Sequence, residues 1–414
     1  MTSSLSLSEP LPQGTKRERS ATRNDEATLA LYRPTWRVRG VPSQFDAEAL
    51  ARALCDHFEL QSTDAERESN IAGAVYYSVV VHTLARDLGP NQVATVRFVE
   101  TPTDLVKLDR SSQLQIEIPQ DTARSINLSI DSHFDGITVL FCPPFERHEI
   151  DIVAIAGLGS HAFGSFVHKG DRHMWLSDSL PEYIPTARVM IYGYQSRLQN
   201  SNSFASLDDH ASALQFTLLQ LLRSAEKRLV LIGHSLGGLL IKEALVGILE
   251  MQPFAPLIDL VAGALFFGVP NKGMNIESLL PMVKDHPDLL LLVKSLGVTS
   301  QTLTQKAIEF SRILSRPSFK VFCFYETELS LTAVQDPVTG RYSMNGPRQV
   351  MVSSFSATSC VPSHAMSEYS IPIHRTHSNL VKFARYDVEF EKVISALEQI
   401  LQEKDTDRKH RVRK

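Results

Sequence analysis

The arrangement richest in chemistry is a serine held between glycines at the end of an apolar run. Leu229–Ile232 are apolar, and Gly233, His234, Ser235, Leu236 and Gly237 form a Gly-x-Ser-x-Gly pentapeptide. Leu239, Leu240 and Ile241 then open a helical pattern. A strand that turns straight into a helix leaves little room two positions either side of the serine, so glycines are needed there. Such a turn places the hydroxyl at the first helical turn, where free backbone N–H groups favour developing negative charge. Gly238 strengthens the pattern. No P-loop Lys-Ser/Thr follows and no GxGxxG is present, which sets a nucleotide-binding turn aside. The chemistry is attack by an activated hydroxyl on an acyl carbon.

Such a hydroxyl needs a base, and the base needs a carboxylate to hold its tautomer. With the serine on an elbow, the order along the chain is serine, acid, histidine, each partner on a loop after a strand. Lys320–Phe324 reads as a strand that opens into Tyr325, Glu326, Thr327 and Glu328. Glu326 is the expected acid, with Glu328 and Asp336 as competitors. His377 follows the expected last strand near Val350–Val352 and directly precedes a helical pattern from Leu380. It is the expected base, with His374 and His364 as alternatives. Two backbone N–H groups are the expected oxyanion donors: that of Leu236, and that of Leu158 in the glycine-bearing loop after Ile152–Ala156.

The elements that must carry these residues follow from the apolar runs. Ile137–Phe141, Ile150–Ala156, Val189–Tyr192, Leu229–Ile232, Gly263–Phe267, Lys320–Phe324 and Gln349–Val352 alternate with helical patterns. Strands apolar on both faces specify a mostly parallel sheet covered by helices, an α/β class. Before it, Trp36–Arg39, a helix capped by Ser43 or Asp46, Val75–Val81, Val93–Val99 and a helix from Thr103 make a small α+β unit. The expected organisation is a disordered tail over 1–33, the α+β unit over 34–125, the α/β domain over 126–403 and a basic, frayed tail over 404–414. Leu279–Leu296 reads either as a lid or as a core helix pair.

The chain has 414 residues, 43% hydrophobic and 21% charged, with a net charge of −4. That excludes disorder for the bulk of the chain and a nucleic-acid coating role. No apolar run reaches the ~18–20 residues of a membrane-spanning helix. No secretory signal is visible. Cys55, Cys142, Cys323 and Cys360 are widely spaced without a CxxC, so a reduced intracellular, cytoplasmic setting is expected. Neither a metal nor a cofactor is expected.

Residues 150 to about 400 resemble the lipase-type serine hydrolases of the serine-active-site-containing protein family. The likeness includes fungal α/β-hydrolase domains that stand alone or at the N-terminus of NLR-type receptors. DIVAIAGLGSHAFGSF, LIGHSLGGLLIKEAL, GALFFGVPNKG, FYETELS and HSNLVKFARYD carry it. It implies an α/β-hydrolase fold with a triad on Ser235, Glu326 and His377. It further implies a small-molecule acyl or lipid ester as substrate and peripheral contact with mitochondrial or ER membranes. Relatives have His at the position of Ala156, and Thr and His at those of Val269 and Asn271, departures that bear on the substrate. A second reading is a hydrolase-like signalling or interaction module with little or no turnover. WRVRGVP and VATVRFVETPTDL resemble the two signature strands of RNA-recognition motifs. Their stacking positions hold Arg37, Val93 and Thr95, so a structural or protein-contact role is expected there, not RNA binding.

Overall fold

The computed structural model describes residues 34–60, 78–109, 111–121, 124–198, 203–225, 227–337, 342–362 and 365–411. The expected 1–33 tail and His364 lie outside these residues. The first elements are β1 (Trp36–Val41), α1 (Ala47–His57), β2 (Val79–Arg86), β3 (Gln92–Phe98), α2 (Thr103–Lys107), β4 (Gln113–Asp121) and β5 (Arg124–Asp131). Asp46 caps α1 by accepting the Ala49 N–H at 2.7 Å, and the helix buries Leu50, Ala51 and Leu54. The five strands form one antiparallel sheet in the order β2-β3-β1-β5-β4. Because β5 pairs with both β1 and β4, this sheet runs to Asp131, past the expected boundary at residue 125.

One face of the small sheet packs on α1 through Val38, Ala94, Val96 and Phe98. Arg37, Val93 and Thr95 alternate with these and point the other way, yet they are buried as well. Ala85 and Val93 join Val139 in one apolar cluster. The positions that an RNA-binding sheet would use for stacking are therefore covered by the remainder of the chain.

Arg37 makes the polar part of this junction. Its Nε donates to Asp131 Oδ2 at 2.9 Å, and one terminal nitrogen donates to Asp135 O at 3.0 Å and Thr138 Oγ1 at 2.8 Å. Both side chains of the Arg37–Asp131 pair are fully buried. Burial lowers the guanidinium's affinity for its proton, and Asp131 opposes that shift. Asp131→Ala would leave a buried cation without its counter-charge. The expected loss is about 3–5 kcal/mol of unfolding free energy, read from urea denaturation. A loss under about 1 kcal/mol would show that the pair is not what fixes the junction.

The larger layer contains β6 (Gly136–Phe141), β7 (Ile150–Ile155), β8 (Ala187–Gly193), α3 (Leu207–Ala225), β9 (Arg228–His234) and α4 (Leu236–Glu250). It continues with β10 (Val261–Phe267), α5 (Pro287–Ser295), α6 (Gln301–Leu314), β11 (Lys320–Glu326), β12 (Ser370–Ile373) and α7 (Val388–Arg411). The seven strands lie in the order β12-β11-β10-β9-β7-β8-β6, with β6 antiparallel to β8 and every other pair parallel. β7 and β10 are buried at every position, as both-faced covering requires. Val153, Ile155, Leu231 and Phe266 face one apolar cluster with Leu218, Leu240 and Phe310 from α3, α4 and α6. Ile152, Ala154, Ile232 and Phe267 face another with Trp175, Phe383 and Leu397.

Two expectations need correction, and one open alternative is decided. The last strand of the sheet is β12, not Val350–Val352; among the described residues Arg348–Gln349 pairs only with Ser330–Leu331 in a two-residue ladder. The segment Leu279–Leu296 is a helix pair whose Val283, Leu289, Leu292, Val293 and Leu296 belong to the core, so its apolar pattern serves packing. Where a frayed tail was expected from residue 404, α7 continues to Arg411. Residues from Pro34 onward cluster as one compact unit. Among the described residues no helix is long and apolar enough to cross a membrane.

Candidate active site

Parallel strands deliver their C-terminal ends to one edge of the sheet, and the candidate residues gather there. β9 ends at His234, and Ser235 follows with φ +52° and ψ −124°. Residues other than glycine rarely enter positive φ, and holding one there costs about 1–3 kcal/mol. The glycines permit the turn. A Cβ at Gly233 would lie 2.5 Å from Gly238 Cα, and one at Gly237 would lie 2.4 Å from the Ile155 carbonyl oxygen. α4 starts at Leu236, directly behind the serine. Strained serine, crowded glycines and a seven-stranded, mostly parallel sheet with one antiparallel strand now stand together. The fold is that of the α/β-hydrolases.

Glu326 is the last residue of β11, opposite Ile373 at the end of β12. The chain beyond β12 brings His377 back over the elbow. His377 Nδ1–H donates to Glu326 Oε2 at 2.6 Å, and Ser235 Oγ lies 3.1 Å from His377 Nε2. All three residues are buried. The second oxygen of Glu326 accepts the N–H groups of Met351 at 2.7 Å and Val352 at 3.2 Å. That use of its backbone donors explains why the apolar stretch there is not a sheet strand. The structure thus brings the three expected residues together and leaves Glu328, His374 and Asp336 outside the relay. Glu328 is exposed and near His374, 3.7 Å away and also exposed. Asp336 is exposed on the excursion between β11 and β12.

Leu236 and Gly157, the residue before Leu158, both lie against the serine. Leu236 opens α4, where the first N–H groups have no partner within the helix. Gly157, next to Leu158, approaches so closely that a Cβ on it would lie 2.9 Å from Ser235 Cβ. Gly159 N–H donates to Ser196 O at 2.6 Å, which anchors this loop. Two of the departures from the family pattern serve the core. Asn271 accepts from the buried Lys242 Nζ at 3.0 Å and donates to Ala357 O at 2.9 Å. Val269 packs on Gly238. At Ala156 the backbone oxygen accepts Tyr194 OH at 3.1 Å.

Ser330 was not foreseen: its Oγ accepts the His377 N–H at 3.0 Å, and no spacing rule points to it. Nor was a cavity of about 200 Å³ beside the loops of Glu326 and His377, lined by His168, Lys169, Glu328, Arg375, Asn379 and Lys382. Arg375 is committed to Asp387, and His168 to Asp171 at 2.7 Å. Burial and the charge of Lys169 push the Lys382 amine down to about 8. Among the described residues no group of three or more His, Cys, Asp or Glu could hold a metal ion.

No protein-family model matches the chain. Protein SERAC1 of Danio rerio is 25% identical over 216 residues, covering 47% of this chain and 33% of that protein. Protein SERAC1 of Mus musculus is 25% identical over 219 residues, covering 48% and 34%. The match thus spans about a third of the length of these curated relatives. They lend no support to the expected tie with fungal, receptor-linked hydrolases. Among solved structures, the mature form of the lipase BlEst2 from Bacillus licheniformis shares 13% identity at a TM-score of 0.38, over 62% of this chain and 94% of that one. Phospholipase PlaB from Legionella pneumophila shares 14% at 0.32, over 43% and 39%. Likenesses at this level say nothing of activity.

Proposed function

We propose that the chain is a serine hydrolase or acyltransferase acting on acyl esters of lipid type. The observation that carries this reading is the unbroken relay from Ser235 Oγ through His377 to Glu326, at 3.1 and 2.6 Å. In the proposed reaction His377 Nε2 takes the Ser235 proton as Oγ bonds to the acyl carbon. Glu326 holds Nδ1–H and stabilises the imidazolium, and the Leu158 and Leu236 amides receive the oxyanion. Collapse expels the alcohol, which takes its proton from His377. Water or a second alcohol then attacks the acyl-serine, with His377 as base again. The strain kept at Ser235 also favours this reading over a module without turnover.

Lys169 and Lys382, which line the cavity by the loops that follow Glu326 and His377, support a substrate that carries an anionic group such as phosphate. Turnover of p-nitrophenyl esters of graded chain length by the purified chain tests the ester reading. No hydrolysis of any of them, nor of a monoacylglycerol or a lysophospholipid, would contradict it. The cavity adds a second expectation. Lys382→Met should raise KM for a phosphate-bearing ester about threefold to fivefold more than for its neutral analogue, the scale of one partly exposed charge pair. The amine is charged below its pKa. The parent's preference for the anionic ester should therefore weaken as pH rises through about 8. Equal KM changes for both esters would remove Lys382 from substrate selection.

A further inference from the structure

The residue before the nucleophile has a side chain that the reaction above does not use. We propose that His234 is a positioning residue for His377, an inference that rests on the reading of Ser235 and His377 as nucleophile and base. His234 Nε2 lies 3.0 Å from the carbonyl oxygen of His377. A carbonyl can only accept, so Nε2 carries the proton and the tautomer is fixed. The two rings lie 5.1 Å apart, tilted by 37°. His234 is buried, and among the described residues its Nδ1 has no hydrogen-bond partner.

That orphaned nitrogen carries the argument. A buried acceptor left without a donor is destabilising, and an apolar side chain of similar size at 234 would avoid it. Among the described residues the ring's one hydrogen bond is that to His377, which gives the unfavourable burial a use. Burial and the neighbouring His377 push the His234 ring down to about 3, so it stays neutral when His377 becomes an imidazolium. The donor therefore persists through the proposed cycle.

His377 needs such a hold. It opens a one-turn 3-10 helix, His377–Asn379, on a loop and not on a strand. Its N–H is taken by Ser330, from the segment that follows Glu326, and its carbonyl by His234, from the elbow. The base is thus tied by its own backbone to the two elements that carry its partners. Displacing a reacting group by about 1 Å can cost on the order of 10²-fold in rate.

The test compares His234→Leu, which removes the donor, with His234→Gln, which keeps an N–H donor within reach of the same carbonyl. With a p-nitrophenyl ester, His234→Leu should lower kcat by about 10- to 100-fold with KM changed less than about twofold. His234→Gln should recover to within about fivefold of the parent. A readout independent of turnover is the downfield proton NMR signal of the His377–Glu326 hydrogen bond. It should be lost or broadened in His234→Leu and persist in His234→Gln. The proposal is overturned if both variants keep the parent's signal and kcat, or if His234→Gln loses both as fully as His234→Leu does. If His234→Leu does not fold, loss of the signal in folded His234→Gln overturns it and retention supports it. A parent chain without turnover, but with this pattern of signals, would defeat the hydrolase reading and leave the positioning role standing.

Discussion

Ser235→Ala should lower ester hydrolysis by about 10⁴–10⁶ and leave the fold intact, because it removes the attacking oxygen and nothing that the core packs on. Alanine suffers the same backbone strain at φ +52° as serine, so the thermal midpoint should move little. The relevant comparison is initial rate at saturating p-nitrophenyl ester, with circular dichroism to check folding. If the variant kept more than about a tenth of parental activity, the hydrolysis would have to come from some other group.

The second large effect concerns the acid. In Glu326→Gln one amide oxygen can still accept the Met351 and Val352 N–H groups that Glu326 Oε1 now accepts. The amide nitrogen would then face His377 Nδ1, where Glu326 Oε2 accepts a proton at 2.6 Å. A donor there turns the imidazole into the tautomer with its proton on Nε2, which cannot take the Ser235 proton. The expected loss in kcat is about 10²–10⁴ with little loss of stability. Glu328→Gln and Asp336→Asn, both exposed, should stay within a few-fold of the parent. An active Glu326→Gln beside an inactive variant at either other position would reverse the assignment.

The parts of this site that were legible in the sequence are those with strict steric or topological demands. An elbow needs small residues where its backbone segments nearly touch, and Gly233 and Gly237 mark that need directly. Glu326 could be read because a fully apolar run, Val321–Phe324, stops just before it. The edges of the sheet were harder. β12 has four residues and contains Pro372, which an edge strand tolerates but a strand pattern does not advertise. Met351 and Val352 looked like strand residues, being apolar and buried, yet their backbone donors go to a carboxylate. The Arg37 pair and the Ser330 and His234 contacts to His377 join residues 47 to 143 positions apart, with no local pattern to announce them.

The claim on which the rest depends is that Ser235 is a nucleophile activated by its neighbours. Incubating the full chain with a fluorophosphonate, followed by intact-mass and peptide mass spectrometry, tests that claim most directly. The account predicts one adduct per chain, on Ser235, and none in Ser235→Ala. A folded chain that takes no adduct, or takes it on another residue, would contradict it.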